Sequence, residues 1–376
     1  MGRRGNNEGS ISRRKDGRWM GRYTVHTADG TKQRAVYGKT REEVSQKLTK
    51  AMADRDGGIV YDAGKQTVGE YLTRWLADSV KDSVRQRTYE RYESIVRVHL
   101  VPAIGSIKLK ALTPAHVRGL YRDRLDGGLS AQSVLHIHRT LYSGLKQAVS
   151  DGLTPRNAAA TVRPPRPRKE EIRPLCREQV RTFLEAVSGD RLEALYVVAV
   201  TAGLRRGELQ GLKWDDVDLE EAGTLQVRRT FSEPRGGYIF EAPKSGKGRS
   251  IRLTRRATAA LRAHRKSQLE ERMQKAGLWQ EQGLVFPSSV GTPLLGGNLN
   301  RAFKARLRRA GLPKSTRFHD LRHTCATLLL GQGVNPKFVQ ELLGHADISL
   351  TLNVYSHVLP DMGDAASGAM DTALGG

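Results

Sequence analysis

His319-Asp320-Leu321-Arg322-His323 is followed in this chain by Leu343-Gly344-His345 and, ten positions on, by Tyr355-Ser356-His357. On a helix, His319, Arg322 and His323 stand at i, i+3 and i+4 and therefore share one face. An Arg and three His residues converging on a single Tyr suit the attack of a phenolic oxygen on a phosphodiester. Without a metal, that chemistry needs positive donors around the pentavalent phosphorane, a general base for the nucleophile and a general acid for the leaving oxygen. A His pair at i, i+4 can also hold zinc, but no Glu follows the first His and no third ligand is suitably spaced, so no metal is expected. Tyr355 alone would read as a packed helical Tyr. Its ten-residue spacing from His345 is what marks it.

Upstream, Thr201-Ala-Gly-Leu-Arg205-Arg-Gly-Glu208-Leu209 supplies a second Arg. Gly203 interrupts an apolar helical run and a new helix is expected after it, which places Arg205 at a helix start, where backbone N–H groups favour anions. Two Arg can clamp the non-bridging oxygens of a phosphate in forked geometry, which a Lys point charge does less well. Beside Arg206 and taken alone, Arg205 would pass for a surface residue; the downstream His and Arg give it meaning. Between these motifs, residues 241–253 (EAPKSGKGRSIRL) read as a hairpin with a tight Gly-containing turn, and Lys244 and Lys247 both lie in it.

The chain of 376 residues carries a formal net charge of +24 and has a pI near 10.3. That length implies two or three domains. The charge implies a polyanionic partner. Counted by segment the balance is about +7 over residues 1–65, +6 over 66–160, +3 over 161–173 and +8 beyond, so the excess is spread along the chain as expected if each part touches nucleic acid. Codon bias explains 44 Arg against 19 Lys, but not the deficit of acids. Two distant cysteines, Cys176 and Cys325, offer neither a disulfide framework nor a zinc ribbon. No apolar run is long enough to span a bilayer, so a soluble, unexported protein in a reducing bacterial cytoplasm is expected, with no membrane partner.

Residues 1–65 alternate in short segments, 9–13, 19–26 and 33–37, separated by turn formers and followed by a helical stretch to about Arg55. The pattern predicts a three-stranded sheet crossed by one helix. From Thr67 to about Ala160 apolar residues recur at three- and four-residue spacing, which predicts a bundle of four or five helices over 66–160. Residues 161–173 contain Arg163-Pro-Pro-Arg166-Pro-Arg168-Lys169, where the prolines exclude helix and Arg163, Arg166 and Arg168 favour solvent or phosphate, so an interdomain linker is expected. Residues 174–376 predict a mainly helical domain with one small antiparallel sheet. The fold class is thus multidomain, mainly α with small antiparallel β-sheets.

The order Arg-x-x-Glu, a hairpin Lys, His-x-x-Arg-His, Leu-Gly-His and Tyr resembles the tyrosine recombinase (phage integrase) family over residues 174–376, and the first 160 residues resemble the arm-binding and core-binding domains of integrases from temperate phages and integrative elements. That resemblance implies an α+β catalytic domain in which Tyr355 is the nucleophile, Arg205 and Arg322 clamp the phosphate, His319 accepts a proton and His345 donates to a non-bridging oxygen. Glu208 would orient the Arg and His side chains, with His323 as a further supporting residue. In the family the acid Lys lies five residues before the Arg that opens the returning strand, here Arg249, which selects Lys244 and leaves Lys247 as a DNA-backbone contact. The implied activity is site-specific recombination through a 3′-phosphotyrosine, with no cofactor. The implied partners are double-stranded core-type and arm-type attachment sites and three further copies of the chain in a tetramer on DNA. A host DNA-bending protein and an excisionase stay open as accessory partners. Residues 359–374 suit a short helix docking on a neighbour. Two alternatives stand beside this reading. A chromosome-dimer resolvase of the same superfamily usually begins directly with the helical domain, so the extra 60 residues argue against it. A catalytically silent DNA-binding regulator is disfavoured by the intact set Arg205, Lys244, His319, Arg322, His345 and Tyr355.

Overall fold

The computed structural model describes residues 9–27, 30–56, 65–168, 173–221, 223–243, 246, 248–349, 351–352 and 370–375. It forms two compact units that divide between residues 169 and 170.

The first unit opens with an antiparallel sheet, β1 (Ser10–Arg13), β2 (Trp19–Thr27) and β3 (Gly30–Gly38), in which Ser10 pairs with Arg22 and Trp19 with Gly38. Helix α1 (Arg41–Asp56) lies across it, burying Val44 and Leu48 with Met20 and Val25. Gly21 makes this close approach feasible, because a Cβ there would sit 3.0 Å from a Val44 methyl and 3.1 Å from one of Val36.

The helical part follows. A capping box of Thr67 and Glu70 starts α2 (Val68–Trp75), which a π-helical turn, Leu76–Val80, continues. Helix α3 (Gln86–Ile95) runs through a second π turn, Val96–Leu100, into α4 (Val101–Ile104). Thr113 and Ser130 cap α5 (Pro114–Asp126) and α6 (Ala131–Ser150). On α6, Val134, Ile137, Leu141, Leu145 and Ala148 form one helical stripe, all at most 1 % exposed. Gly144 lies in the same stripe: its carbonyl accepts from the Tyr71 hydroxyl at 2.9 Å, and a Cβ would fall 2.7 Å from Leu72 Cδ2. Ala158, Ala159 and Val162 also pack into this core, whereas Arg163, Arg166 and Arg168 are exposed on irregular backbone.

The second unit is built around α8 (Glu193–Ala202), apolar on every side and buried along nearly its whole length. Helix α7 (Arg177–Ala186) precedes it and α9 (Arg206–Gln210) follows. Then come β4 (Val217–Asp218), β5 (Thr224–Val227), β6 (Thr230–Ser232), β7 (Ile239–Glu241) and β8 (Arg249–Arg252). Helices α10 (Arg255–Gln274), α11 (Gly296–Arg309), α12 (Asp320–Leu330) and α13 (Pro336–Leu343) complete it, with α10 and α12 packed on α8.

The strands of this unit depart from the single sheet expected. β8 pairs with β5, Val227 opposite Arg249, in a three-stranded sheet with β4, while β7 pairs with β6 in a separate ribbon. At the break, two residues past the end of β5, the Arg229 guanidinium bonds the buried Asp216 carboxylate. The strand that returns from the 243–246 turn lies against β5 and not against β7. Gly246 closes that turn with a positive φ of 70° and a bond to the Pro243 carbonyl.

Candidate active site

Helix α8 ends because Gly203 adopts a left-handed φ of 61°. Leu204 then turns into the core, and Arg205 becomes the N-cap of α9. No other residue fits easily at Gly203. Besides the backbone strain, a Cβ would run into Leu343 Cδ2 and approach Cys325 Sγ at 3.3 Å. The Gly203 carbonyl thereby faces α12 and accepts from Arg322 Nη1 at 2.7 Å. Arg322 is only 3 % exposed, and its Nη2 is a buried donor without a partner among the described residues.

His319 caps α12, and His323 stands one turn on with its ring edge-on to that of His319, centroids 5.0 Å apart. Helix α13 ends in a second left-handed glycine, Gly344, φ 65°. The Gly344 carbonyl accepts from Arg205 Nη2 at 2.8 Å, and His345 follows directly, its Nδ1 2.9 Å from the hydroxyl of the fully buried Thr351. His345 Nε2 makes no hydrogen bond among the described residues. Arg205, Arg322, His319, His323 and His345 are thus brought into one electrostatically coupled cluster.

Glu208, 1 % exposed, lies beneath this cluster. One carboxylate oxygen accepts from Arg205 Nη1 (2.8 Å) and Arg249 Nη1 (3.1 Å), and the other from the Arg205 backbone N–H (2.9 Å) and Arg249 Nη2 (2.7 Å). Burial by itself would raise its pKa, but Arg249 and then Arg205 outweigh it and hold the group at about 2. Of the Arg and His side chains that Glu208 was expected to orient, its bonds reach Arg205, and Arg249 besides; none goes to a His among the described residues.

The histidines are driven neutral. Burial, then the positive Arg322 and Arg205, press His345 to about 4. His319 also falls to about 4: although the residue is exposed overall, its ring is crowded, and His323, Arg322 and Arg205 add to the effect. Burial lowers His323 in the same direction. Burial and Arg205 lower Arg322 to about 9, which leaves it cationic at neutral pH. A net positive, part-buried cluster with neutral imidazoles suits an anion that brings its own proton-transfer needs.

Three of the residues expected to act, Tyr355, Lys244 and Lys247, lie outside the described residues, as do 353–369, which include most of the expected docking helix; 370–373 form a helical turn. Sequence reading missed two others. Arg249 served only as a spacing marker, yet it is the second cation on Glu208 and also donates to the Leu342 carbonyl at 2.8 Å. A signal existed: Arg249 and the buried Ile251 are two apart on β8 and share its inner face, where a cation needs a buried acid. Thr351, which holds His345, has no such signal.

Family models match residues 173–362 as "Phage integrase family" and 67–125 as "Phage integrase, N-terminal SAM-like domain". A tyrosine recombinase described as XerC-like from Caldanaerobacter subterraneus subsp. tengcongensis is 31% identical over 344 residues, 86% of this chain and 88% of its own length. An integrase of Streptomyces ambofaciens is 30% identical over 331 residues, 85% of this chain and 83% of its own length. Among solved structures, the Tn1549 transposon integrase in complex with transposon right end DNA superposes with a TM-score of 0.70 at 23% identity, covering 81% of this chain and 99% of that one. The lambda integrase tetramer bound to a Holliday junction gives 0.58 at 21%, covering 94% and 96%. These two likenesses are of fold. The sequence matches over both units, together with that fold, make this chain a member of the phage integrase family of tyrosine recombinases.

Proposed function

We propose that this protein integrates and excises mobile DNA, using Arg205 and Arg322 to hold the scissile phosphate and Tyr355 to attack it. The observation that carries the reading is the Nη2 of Arg322, buried and without a partner among the described residues, in a cluster with Arg205, His319 and His345. An anion with several acceptor oxygens completes this site better than any side chain nearby. In the reaction Tyr355 bonds to phosphorus, a 3′-phosphotyrosine forms and a 5′-hydroxyl leaves; a partner strand's 5′-hydroxyl then reverses the step. The bond energy stays in the phosphotyrosine, so no ATP is consumed.

His319 is neutral and can take the Tyr355 proton, since the negative phosphate offsets the Arg charges that depress its basicity. His345, with Nδ1 engaged by Thr351, offers Nε2–H to a non-bridging oxygen. Lys244 supplies the proton to the leaving 5′-oxygen, and Lys247 contacts the backbone. Arg163, Arg166 and Arg168 meet phosphates as the linker passes the duplex. Boundaries at about 65, 160 and 173 would then separate an arm-binding domain, a core-binding domain, the linker and the catalytic domain. Four copies act on two duplexes, on DNA in the bacterial cytoplasm. The N-terminal sheet and α1 favour an integrase over a chromosome-dimer resolvase.

The test is Tyr355→Phe on a nicked core site. Loss of the covalent protein–DNA complex with DNA binding retained is expected, and a covalent complex formed by that variant would remove Tyr355 from the role.

A further inference from the structure

Glu208 is a buried anion set directly under a guanidinium that must attract a phosphate. A carboxylate paired with Arg205 alone would orient it and at the same time cancel its field. The structure avoids this because each Glu208 oxygen accepts from both Arg205 and Arg249. The trio therefore keeps one net positive charge, and Arg322 adds a second. Arg249 is itself locked. Its side chain is 11% exposed, its Nε donates to the Leu342 carbonyl, and its guanidinium lies flat enough on Gly344 that a Cβ there would come within 3.0 Å of Nη1. Gly344 in turn offers its carbonyl to Arg205. We propose that Arg249 is a positioning residue for the phosphate site: it balances Glu208 so that Arg205 is oriented without losing its charge, and it ties β8 to the turn carrying His345.

This inference rests on the recombinase reading, and one experiment separates the two. Single-turnover cleavage is measured on a nicked core-site duplex with either an ordinary phosphate or a methylphosphonate at the scissile position. The methylphosphonate has no net negative charge and makes little demand on a cationic clamp. Arg249→Gln is expected to slow cleavage of the phosphate by about 100-fold or more, on the scale of a lost oxyanion donor. Its DNA affinity should stay within about twofold, and on the methylphosphonate it should come within about threefold of wild type. Arg249→Lys, which keeps the charge and loses the fork, should fall between Arg249→Gln and wild type on the phosphate and carries the test if Arg249→Gln does not fold. Equal loss on both substrates, or Arg249→Lys as slow on the phosphate as Arg205→Ala, would overturn the charge-balancing role in favour of plain support of β8. Phosphate cleavage by Arg249→Gln at the wild-type rate would also overturn it. A wild-type chain that cleaves neither substrate sinks the recombinase reading and this inference with it.

Discussion

Burying a guanidinium with a nitrogen unpaired is unfavourable for folding, and Arg322 Nη2 is so placed among the described residues. Function and stability are therefore expected to part company at this position. Arg322→Met should abolish cleavage, a transition-state loss of about 2.7–4 kcal/mol or more, while chemical denaturation shows unchanged or slightly increased stability. A fall in stability of the same size as the loss in rate would mean that the side chain is structural. Gly344 makes the opposite case, since its φ of 65° and its contact with Arg249 both exclude a side chain. Gly344→Ala should lower stability by about 1–2 kcal/mol, the penalty of a left-handed backbone, and slow cleavage by displacing the carbonyl that holds Arg205. The imidazoles add a pH signature. His345 is held near 4 in the fold against an ordinary 6.5, so between those values the unfolded chain binds more protons. Stability is thus full above about pH 6.5 and declines as pH falls towards 4. Urea midpoints at pH 7.5 and 5 should show the decline, and His345→Gln should make it shallower, His319, also held near 4, supplying the remainder.

Helices in both units begin and end where local chemistry says they must. Thr67, Thr113 and Ser130 cap α2, α5 and α6, and Gly203 and Gly344 stop α8 and α13. Periodicity located α2, α5 and α6 because each buries a single stripe, whereas α8 is buried on every side. Periodicity says nothing of Gly144, where α2 packs so near that a Cβ would meet Leu72 Cδ2 at 2.7 Å. Gly144→Val should destabilise the bundle by about 1–3 kcal/mol through overpacking. A neutral substitution, measured by thermal melting, would mean that Leu72 and Trp75 can retreat. The strands were harder to read. Residues 241–253 read as a hairpin, but β8 pairs with β5 and β7 with β6, and Arg229 reaches Asp216 across β4, β5 and the loop between them.

Across the molecule, positive charge is distributed along the chain and not held in one tail, with about +7 on residues 1–65 alone. Removing residues 1–60 should leave core-site cleavage in place while abolishing a second, steeply salt-dependent DNA-binding activity. Gel-shift titration at two salt concentrations reads this directly, and an unchanged salt slope would rule out DNA binding by the N-terminal sheet. No helix of the described residues is long and apolar enough to cross a membrane.

Sequence by itself located the residues that cluster in the candidate site and their order. Arg205, Glu208, His319, Arg322 and His345 could be named because their spacings are local, and a helix face or a helix end is decided within a few residues. It also determined the sheet-then-helices plan, since amphipathic periods of two and about three and a half residues survive without tertiary context. Tertiary structure alone decided that Arg205 donates to the carbonyl of Gly344, 139 residues away, that Arg249 shares Glu208 with it across 41, and that β8 lies against β5. The reason is physical. Local propensity is a property of neighbours along the chain, whereas the pairing of a buried charge is settled by whichever opposite charge the packed core brings within hydrogen-bonding distance.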